Sequence, residues 1–444
     1  MIRSFDFDKL PIVEVVNEII LDAVKRGASD IHFDPMIDFM KVRIRIDGQL
    51  MDYATIPNTL KRNLITRVKI ISGMNITEVR LPQDGAVQTM LKDVALDLRV
   101  SSLPTNEGEK IVIRILDFEM SLKGLEHLGF SENNFKKLIE MIAVPNGIIL
   151  VTGATGSGKS TTVYAVLQRL NKEYTNVISV EDPVEMDLQG VNQVQVNSDI
   201  GLTFANVLRS VLRQDPNIIM IGEIRDTETA RIAVRASITG HLVLSTLHTN
   251  NSLNTIERLL DMEVERYLLA SALEGIVSQK LARRLHTKCR KLRPTNQYER
   301  DLFKTVLDLD IKEIYSAEGC EECSNGYRGR IAIHEVLLIN QEIRDAIAEG
   351  VSKEKLRELV YKSDVTTLLQ DGLEKVVNGY TTCEEVLKLI ELDDDLEGKT
   401  KDYRYSLNTA IKESNISKES GGLHLSDEIT LGTDEEQEEI EVLN

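Results

Sequence analysis

The chain has 444 residues, 42% hydrophobic and 28% charged, with a formal net charge of −18, enough for two or three domains. No apolar run approaches the roughly 18–20 residues of a membrane-spanning helix, and the N-terminal MIRSFDFDKLPIVEVV lacks the long apolar core of a secretory leader, so a cytoplasmic protein is expected. The negative balance argues against stable nucleic-acid binding, whose affinity comes mainly from phosphate neutralisation, although 16 acidic against five basic residues from Glu391 to Asn444 make the acidity largely a property of the tail.

Residues 11–24 place Ile12, Val15, Val16, Ile19, Ile20, Ala23 and Val24 at helical spacing, which predicts an amphipathic helix. In VRIRIDG the apolar positions alternate with Arg43 and Arg45, and Asp47-Gly48 signals a hairpin. Strand-like runs recur at VALDLRVSSL and EKIVIRIL, so residues 1–118 read as an α+β domain, followed by a linker and helix start over 119–135.

From Gly147 the pattern changes to short apolar strands, GIILVTG, NVISV, NIIMIGE and HLVLSTLH. The helices TTVYAVLQRL, FANVLRSVLRQ and ETARIAVRASI lie between them. This alternation predicts an α/β core with a mainly parallel sheet over 136–285. A Cys-containing segment (286–330), a helical region (331–392) and an acidic, disordered tail (393–444) complete the expected order.

Gly153, Ala154, Thr155, Gly156, Ser157, Gly158, Lys159 and Ser160 match the phosphate-loop pattern G-x-x-x-x-G-K-[ST], between a predicted strand and a predicted helix that opens through Thr161. Glycines let backbone N–H groups face the phosphates of ATP, and the helix N-terminus adds partial positive charge. Lys159 is expected at the β- and γ-phosphates and Ser160 at Mg²⁺. Hydrolysis also needs an acid near the metal, a polarised water and further positive charge. Glu223, at the end of NIIMIG, suits the metal-side acid. Glu181, Asp182 and Glu185 in ISVEDPVE read either as catalytic acids or as a polar turn around Pro183. Arg209 and Arg213, one helical turn apart, are either a surface ion-pair row or a pair facing phosphates.

These blocks together resemble the secretion ATPases that drive type II secretion and type IV pilus assembly. The resemblance rests on RGASDIHFDP, VRIRIDG, RLPQDG, DLRVSSLPTNEGEKIVIRIL, GATGSGKST, ISVEDPVE, LRQDPNIIMIGEIRD and GHLVLSTLHTN, and covers residues 11–390. It implies a RecA-like P-loop ATPase core preceded by a PAS-like domain and followed by a helical subdomain. It implies Glu185 as the acid that polarises the attacking water, Glu223 as the Walker B glutamate, and His241 and His248 at the ends of a histidine box. Arg99 and Arg114 match arginines of the N-terminal domain that reach the nucleotide, and Arg209 and Arg213 match the motor domain's own pair. It further implies a homo-hexamer acting on an inner-membrane platform protein, with the motor held peripherally at the inner face of the membrane. Relatives commonly carry Arg after the glycine of RLPQDG, where this chain has Ala86. Many also carry an additional N-terminal domain for which no room is read ahead of residue 11, so a reduced docking scheme is expected.

Assembly motors of this family often hold zinc in two C-x-x-C pairs, a segment that pilus retraction motors generally lack. Here Cys320 and Cys323 fit the second pair, while the first reads His286-Thr-Lys-Cys289. Zinc accepts Cys₃His as it accepts Cys₄, so His286 fills the fourth place; the alternative is a decayed site with three free thiols. Cys383 is expected as a buried helix residue.

Overall fold

The computed structural model describes residues 5, 7, 10–91, 94–116 and 124–390. The expected acidic tail, and residues 119–123 of the expected linker, lie outside the described residues. No helix among them is long and apolar enough to cross a membrane.

The first sheet is antiparallel. Helix α1 (Ile12–Lys25) buries Val15, Val16, Ile19, Ile20 and Ala23, the face its periodicity predicts. Strands β1 (Ala28–Pro35), β2 (Phe39–Ile46) and β3 (Gln49–Pro57) form a meander, then α2 (Asn58–Ile71) leads to β4 (Gln83–Leu91), β5 (Val94–Thr105) and β6 (Gly108–Leu116). The strand order is β3-β2-β1-β6-β5-β4. Asp47 and Gly48 both take positive φ, 49° and 84°, as a two-residue hairpin turn between β2 and β3 requires. One face packs Ile31, Phe33, Val42, Ile44, Ile111 and Ile113 against the two helices. The opposite face carries the polar residues of the same strands, a consequence of the two-residue strand period.

The second sheet is the α/β layer. Its elements are α3 (Glu132–Ile142), β7 (Gly147–Thr152), α4 (Lys159–Leu170), β8 (Val177–Glu181), β9 (Asn192–Gln195), α5 (Phe204–Val211), β10 (Ile218–Ile221), α6 (Thr227–Ile238) and β11 (Leu242–Leu247). They are followed by α7 (Ser252–Asp261), α8 (Arg266–Ala272) and β12 (Leu273–Leu285). Beyond these, the ribbon β13 (Arg290–Pro294) and β14 (Glu313–Ala317) brackets α9 (Gln297–Leu307), and β15 (Tyr327–Leu338) returns to the main sheet. Helices α10 (Gln341–Glu349), α11 (Lys353–Lys362), α12 (Leu368–Val377) and α13 (Cys383–Ile390) close the described chain.

The sheet order is β15-β12-β7-β11-β10-β8-β9, parallel except where β15 runs antiparallel to β12. Every residue of β7 and β11 is buried. Along β7, Ile148 and Leu150 join the core under α5–α8, whereas Ile149 and Val151 join the core under α3 and α4. A sheet covered on both faces needs such continuous apolar runs.

Two expectations are corrected. The helical region expected over 331–392 opens instead on β15, which pairs with β12 from Gly275 to Leu285. Its GRIAIHEVLL is an apolar run that periodicity alone does not assign to strand or helix. The helix expected to reach Gln214 stops at Val211, because Arg213 N–H and Gln214 N–H bond back to Ser210 O and Val211 O in a tightened last turn. Cys383 is buried at the start of α13, as expected.

Candidate functional site

The phosphate loop joins β7 to α4. Gly153, Gly156 and Gly158 take φ of 148°, 80° and 89°, conformations that favour glycine. A Cβ at Gly153 would stand 2.4 Å from the Gln279 carbonyl oxygen, and one at Gly158 would stand 2.7 Å from Gln279 Nε2. Lys159 folds back over the loop, its ammonium donating to Gly153 O (2.9 Å) and Ala154 O (3.1 Å). Burial lowers the Lys159 pKa and the nearby Glu223 charge opposes the shift. Ser157 Oγ is buried without a hydrogen-bond partner among the described residues, and the Ser160 hydroxyl lies on an exposed residue of the first turn of α4. A curl with a cation, a helix N-terminus and an unused hydroxyl fits the phosphates of a nucleotide.

Glu223 follows β10 and His248 follows β11, and these strands are parallel neighbours. Glu223 Oε2 accordingly meets His248 Nε2 at 3.1 Å, and its other oxygen pairs with Arg225. Arg225 reaches on to Asp182 at 3.4 Å. Burial alone would raise the Glu223 carboxyl, but the Arg225 bond and charge, with His248, hold it below the usual carboxylate range.

Glu185 is half-buried, and that burial raises its pKa, with Arg99 and Arg114 opposing and Glu181 and Asp97 adding. Its backbone N–H donates to the Tyr164 hydroxyl (3.1 Å), which in turn donates to Glu181. Glu181 is 2% exposed and also bonds Ser179 Oγ and Gln193 Nε2. It anchors the acidic loop, in which Asp182 is exposed and Glu185 half-buried.

The arginines divide. A register row crosses the first sheet as Ala86, Arg99, Arg114, Asp30 and Arg45. Arg99 donates across to Val184 O, one residue from Glu185. Arg114 pairs with Asp30 at 3.3 Å. Ala86 lies directly opposite Arg99, so an arginine there would extend the row. Arg209 pairs with Glu228 and bonds Asn206, and Arg213 bonds Arg209 O and Ser210 Oγ; none of these partners belongs to the phosphate loop. Arg213 lies beyond the end of α5, so the two do not share a helical face. His241 Nδ1 bonds Ala236 O at 2.9 Å, an end carbonyl of α6, and is not brought to the site.

The second cluster lies at the end of β12. Ligand atoms of His286, Cys289, Cys320 and Cys323 lie within 4.8 Å of one another. His286 Nδ1 is 3.4 Å from Cys289 Sγ and 3.3 Å from Cys320 Sγ, and Cys323 Sγ is 3.7 Å and 3.6 Å from the same two sulfurs. A metal–sulfur length of about 2.3 Å gives tetrahedral edges near about 3.7 Å, so the donor set fits zinc.

The family model described as "Type II/IV secretion system protein" matches residues 6–388. The chain belongs to that family. The type II secretion system protein E of Pectobacterium carotovorum is 44% identical over 383 residues, covering 86% of this chain and 76% of that protein. The type IV pilus assembly ATPase PilB of Thermus thermophilus is also 44% identical, over 86% of this chain but 43% of its own length. The crystal structure of the pilus retraction motor PilT with bound ADP superimposes with a TM-score of 0.58 at 27% identity, over 84% of this chain and 96% of that one. As a member of the secretion ATPase family, this chain is an ATPase.

Three residues of this secretion ATPase escaped the sequence reading. Arg225 shares Glu223, Gln279 lies under the phosphate loop, and Tyr164 ties the acidic loop to α4. Arg225 carries a usable signal, two residues after Glu223. Gln279 and Tyr164 carry none, since only the packing of β12 and α4 brings them there.

Proposed function

We propose that this chain is an ATP-hydrolysing motor that works as a homo-hexamer to power assembly of a type IV pilus, a pseudopilus or a type II secretion machine, acting through a membrane platform protein at the inner face of the membrane. The observation that carries this reading is the Glu223–His248 contact at the strand ends, on the same sheet as a phosphate loop whose lysine senses the Glu223 charge. A cavity of about 1340 Å³, lined by Gly158, Thr161, Phe130, Asp97 and Arg330 among others, continues from the loop and has room for the base and sugar.

In this reading Lys159 binds the β- and γ-phosphates, and Glu185 orients and polarises the attacking water. Ser160 and Glu223 would hold Mg²⁺, which when bound neutralises charge on the phosphate oxygens. Arg99 and Arg114 belong to the first sheet, taken as a PAS-like domain, and so add positive charge to the phosphates only when that domain closes on the RecA-like core. Arg209 and Arg213 approach a nucleotide only by leaving their surface bonds. His286, Cys289, Cys320 and Cys323 would hold Zn²⁺, which cross-links the segment and favours an assembly over a retraction motor.

Phosphate release from the full chain, compared with Lys159→Ala, tests the reading alongside particle mass with and without ATP. Turnover lost in the variant and a six-subunit mass are expected. Equal release from both proteins, or a monomer under all nucleotide conditions, would sink it.

A further inference from the structure

Gln279 lies on β12 and is 3% exposed. Its side-chain amide donates to Ser157 O at 2.7 Å, and its side-chain oxygen accepts from Thr162 Oγ1 at 2.7 Å. Only one orientation of the amide satisfies both, because a backbone carbonyl cannot donate and the hydroxyl supplies the proton. Ser157 is inside the phosphate loop and Thr162 is in the first turn of α4, so one side chain spans the curl from loop to helix. The sheet sets this position. β12 runs parallel to β7 with Ser278 opposite Thr152, and the two hydroxyls meet at 3.1 Å. The same residue explains two glycines of the motif, since its carbonyl oxygen and its Nε2 occupy the space that side chains at Gly153 and Gly158 would need.

A loop rich in glycine loses much conformational entropy when held in one conformation, and a loop that must be ordered by its ligand binds that ligand more weakly. We propose that Gln279 is a positioning residue for nucleotide. It holds the phosphate loop in its anion-receiving curl before ATP arrives, and so sets nucleotide affinity rather than the rate of the chemical step. The proposal rests on the ATP reading of the same loop.

The test uses the full chain with Gln279→Met, Gln279→Glu, Thr162→Val and the Gln279→Met/Thr162→Val pair. The readouts are equilibrium binding of fluorescent ADP, KM and kcat from phosphate release, and thermal unfolding without nucleotide. Both Gln279 variants are expected to weaken ADP binding and raise KM about tenfold, with kcat within about threefold of native, the pattern of lost uniform binding. Thr162→Val is expected to cost about threefold, and the pair no more than Gln279→Met alone, because both changes remove one linkage. Should Gln279→Met fail to fold, Thr162→Val carries the test, since it leaves Gln279 in place. ADP affinity and KM within about twofold of native for the folded variants, while Lys159→Ala abolishes binding, would overturn the proposal and leave the ATP reading standing. Failure of the native chain to bind ADP would overturn both.

Discussion

His248 Nε2 stands 3.1 Å from Glu223 Oε2, joining the ends of two adjacent parallel strands. The contact leaves one carboxylate oxygen to Arg225 and one to His248, with Lys159 near enough for its charge to matter. The Glu223 charge is therefore shared between the Arg225 and Lys159 cations and a hydrogen bond to His248, and any change to Glu223 is felt by all three.

Glu223→Gln keeps the shape and removes the charge. Turnover is expected to fall by about 10²–10³-fold with nucleotide affinity within about threefold of native. Because the folded Glu223 pKa is depressed, its ion pairs contribute stability that is present above the unfolded carboxylate value of about 4.3 and is lost as pH falls through the folded value. The substitution should thus lower the unfolding temperature at pH 7 and have little effect near the acid end. Turnover retained at more than a third of native would remove Glu223 from the chemistry.

Arg99 stands beside the acidic loop through Val184 O, and its positive charge holds down a Glu185 pKa that burial raises. Removing that charge lets the pKa climb further. Arg99→Ala is expected to depress turnover about tenfold or more and to move the acid limb of the pH–rate profile to higher pH, with ATP binding nearly intact. A profile from pH 5 to 9 decides this. An unmoved acid limb would detach Arg99 from Glu185, and unchanged turnover would end the domain-closure account of this arginine.

The donor cluster at the end of β12 predicts metal in the purified protein. About one equivalent of zinc per chain is expected in material never exposed to chelator, falling below about a tenth of an equivalent in His286→Ala or Cys323→Ser. Chelation should lower the unfolding temperature of the native chain and leave that of Cys323→Ser unmoved. Native protein without zinc would restore the reading of three free thiols.

In the first sheet, Lys69 on α2 is 1% exposed and pairs with the buried Glu109, which also accepts from Ser102 Oγ at 2.9 Å. The Lys69 ammonium donates to Glu78 O at 2.8 Å, so the pair also pins the segment after α2. Glu109→Ala leaves a buried cation without its counter-charge and is expected to cost about 3–5 kcal/mol. Lys69→Met with Glu109→Leu should cost less than Glu109→Ala alone, measured as the midpoint of urea unfolding. A double variant at least as damaged as Glu109→Ala would show that packing, not uncompensated charge, is the cost.

Motifs with a local physical cause were legible directly. The phosphate loop, the parallel strand runs, the Asp47-Gly48 turn and the amphipathic α1 each depend on residues within a few positions of one another. The four-residue donor set was also within reach, because His286/Cys289 and Cys320/Cys323 keep a three-residue spacing that turns both ligands the same way. The boundaries of β15 and α5 were not. An apolar run does not declare whether it pairs with a distant strand, and the last turn of a helix is decided by which carbonyls its final N–H groups find.

What the order of residues determined by itself is the chemistry on offer: a loop built for phosphate, acids at strand ends, arginines in alternation, and sulfur with imidazole. Tertiary structure alone decided how those groups are shared. It tied His248 to Glu223 and His241 to the end of α6, turned Arg99 toward the acidic loop and Arg209 toward Glu228, and laid Gln279 beneath the phosphate loop. The reason is one of range. Propensity and capping act over a turn of chain, whereas a hydrogen bond between two strands depends on sheet order and register, which only the packed fold contains.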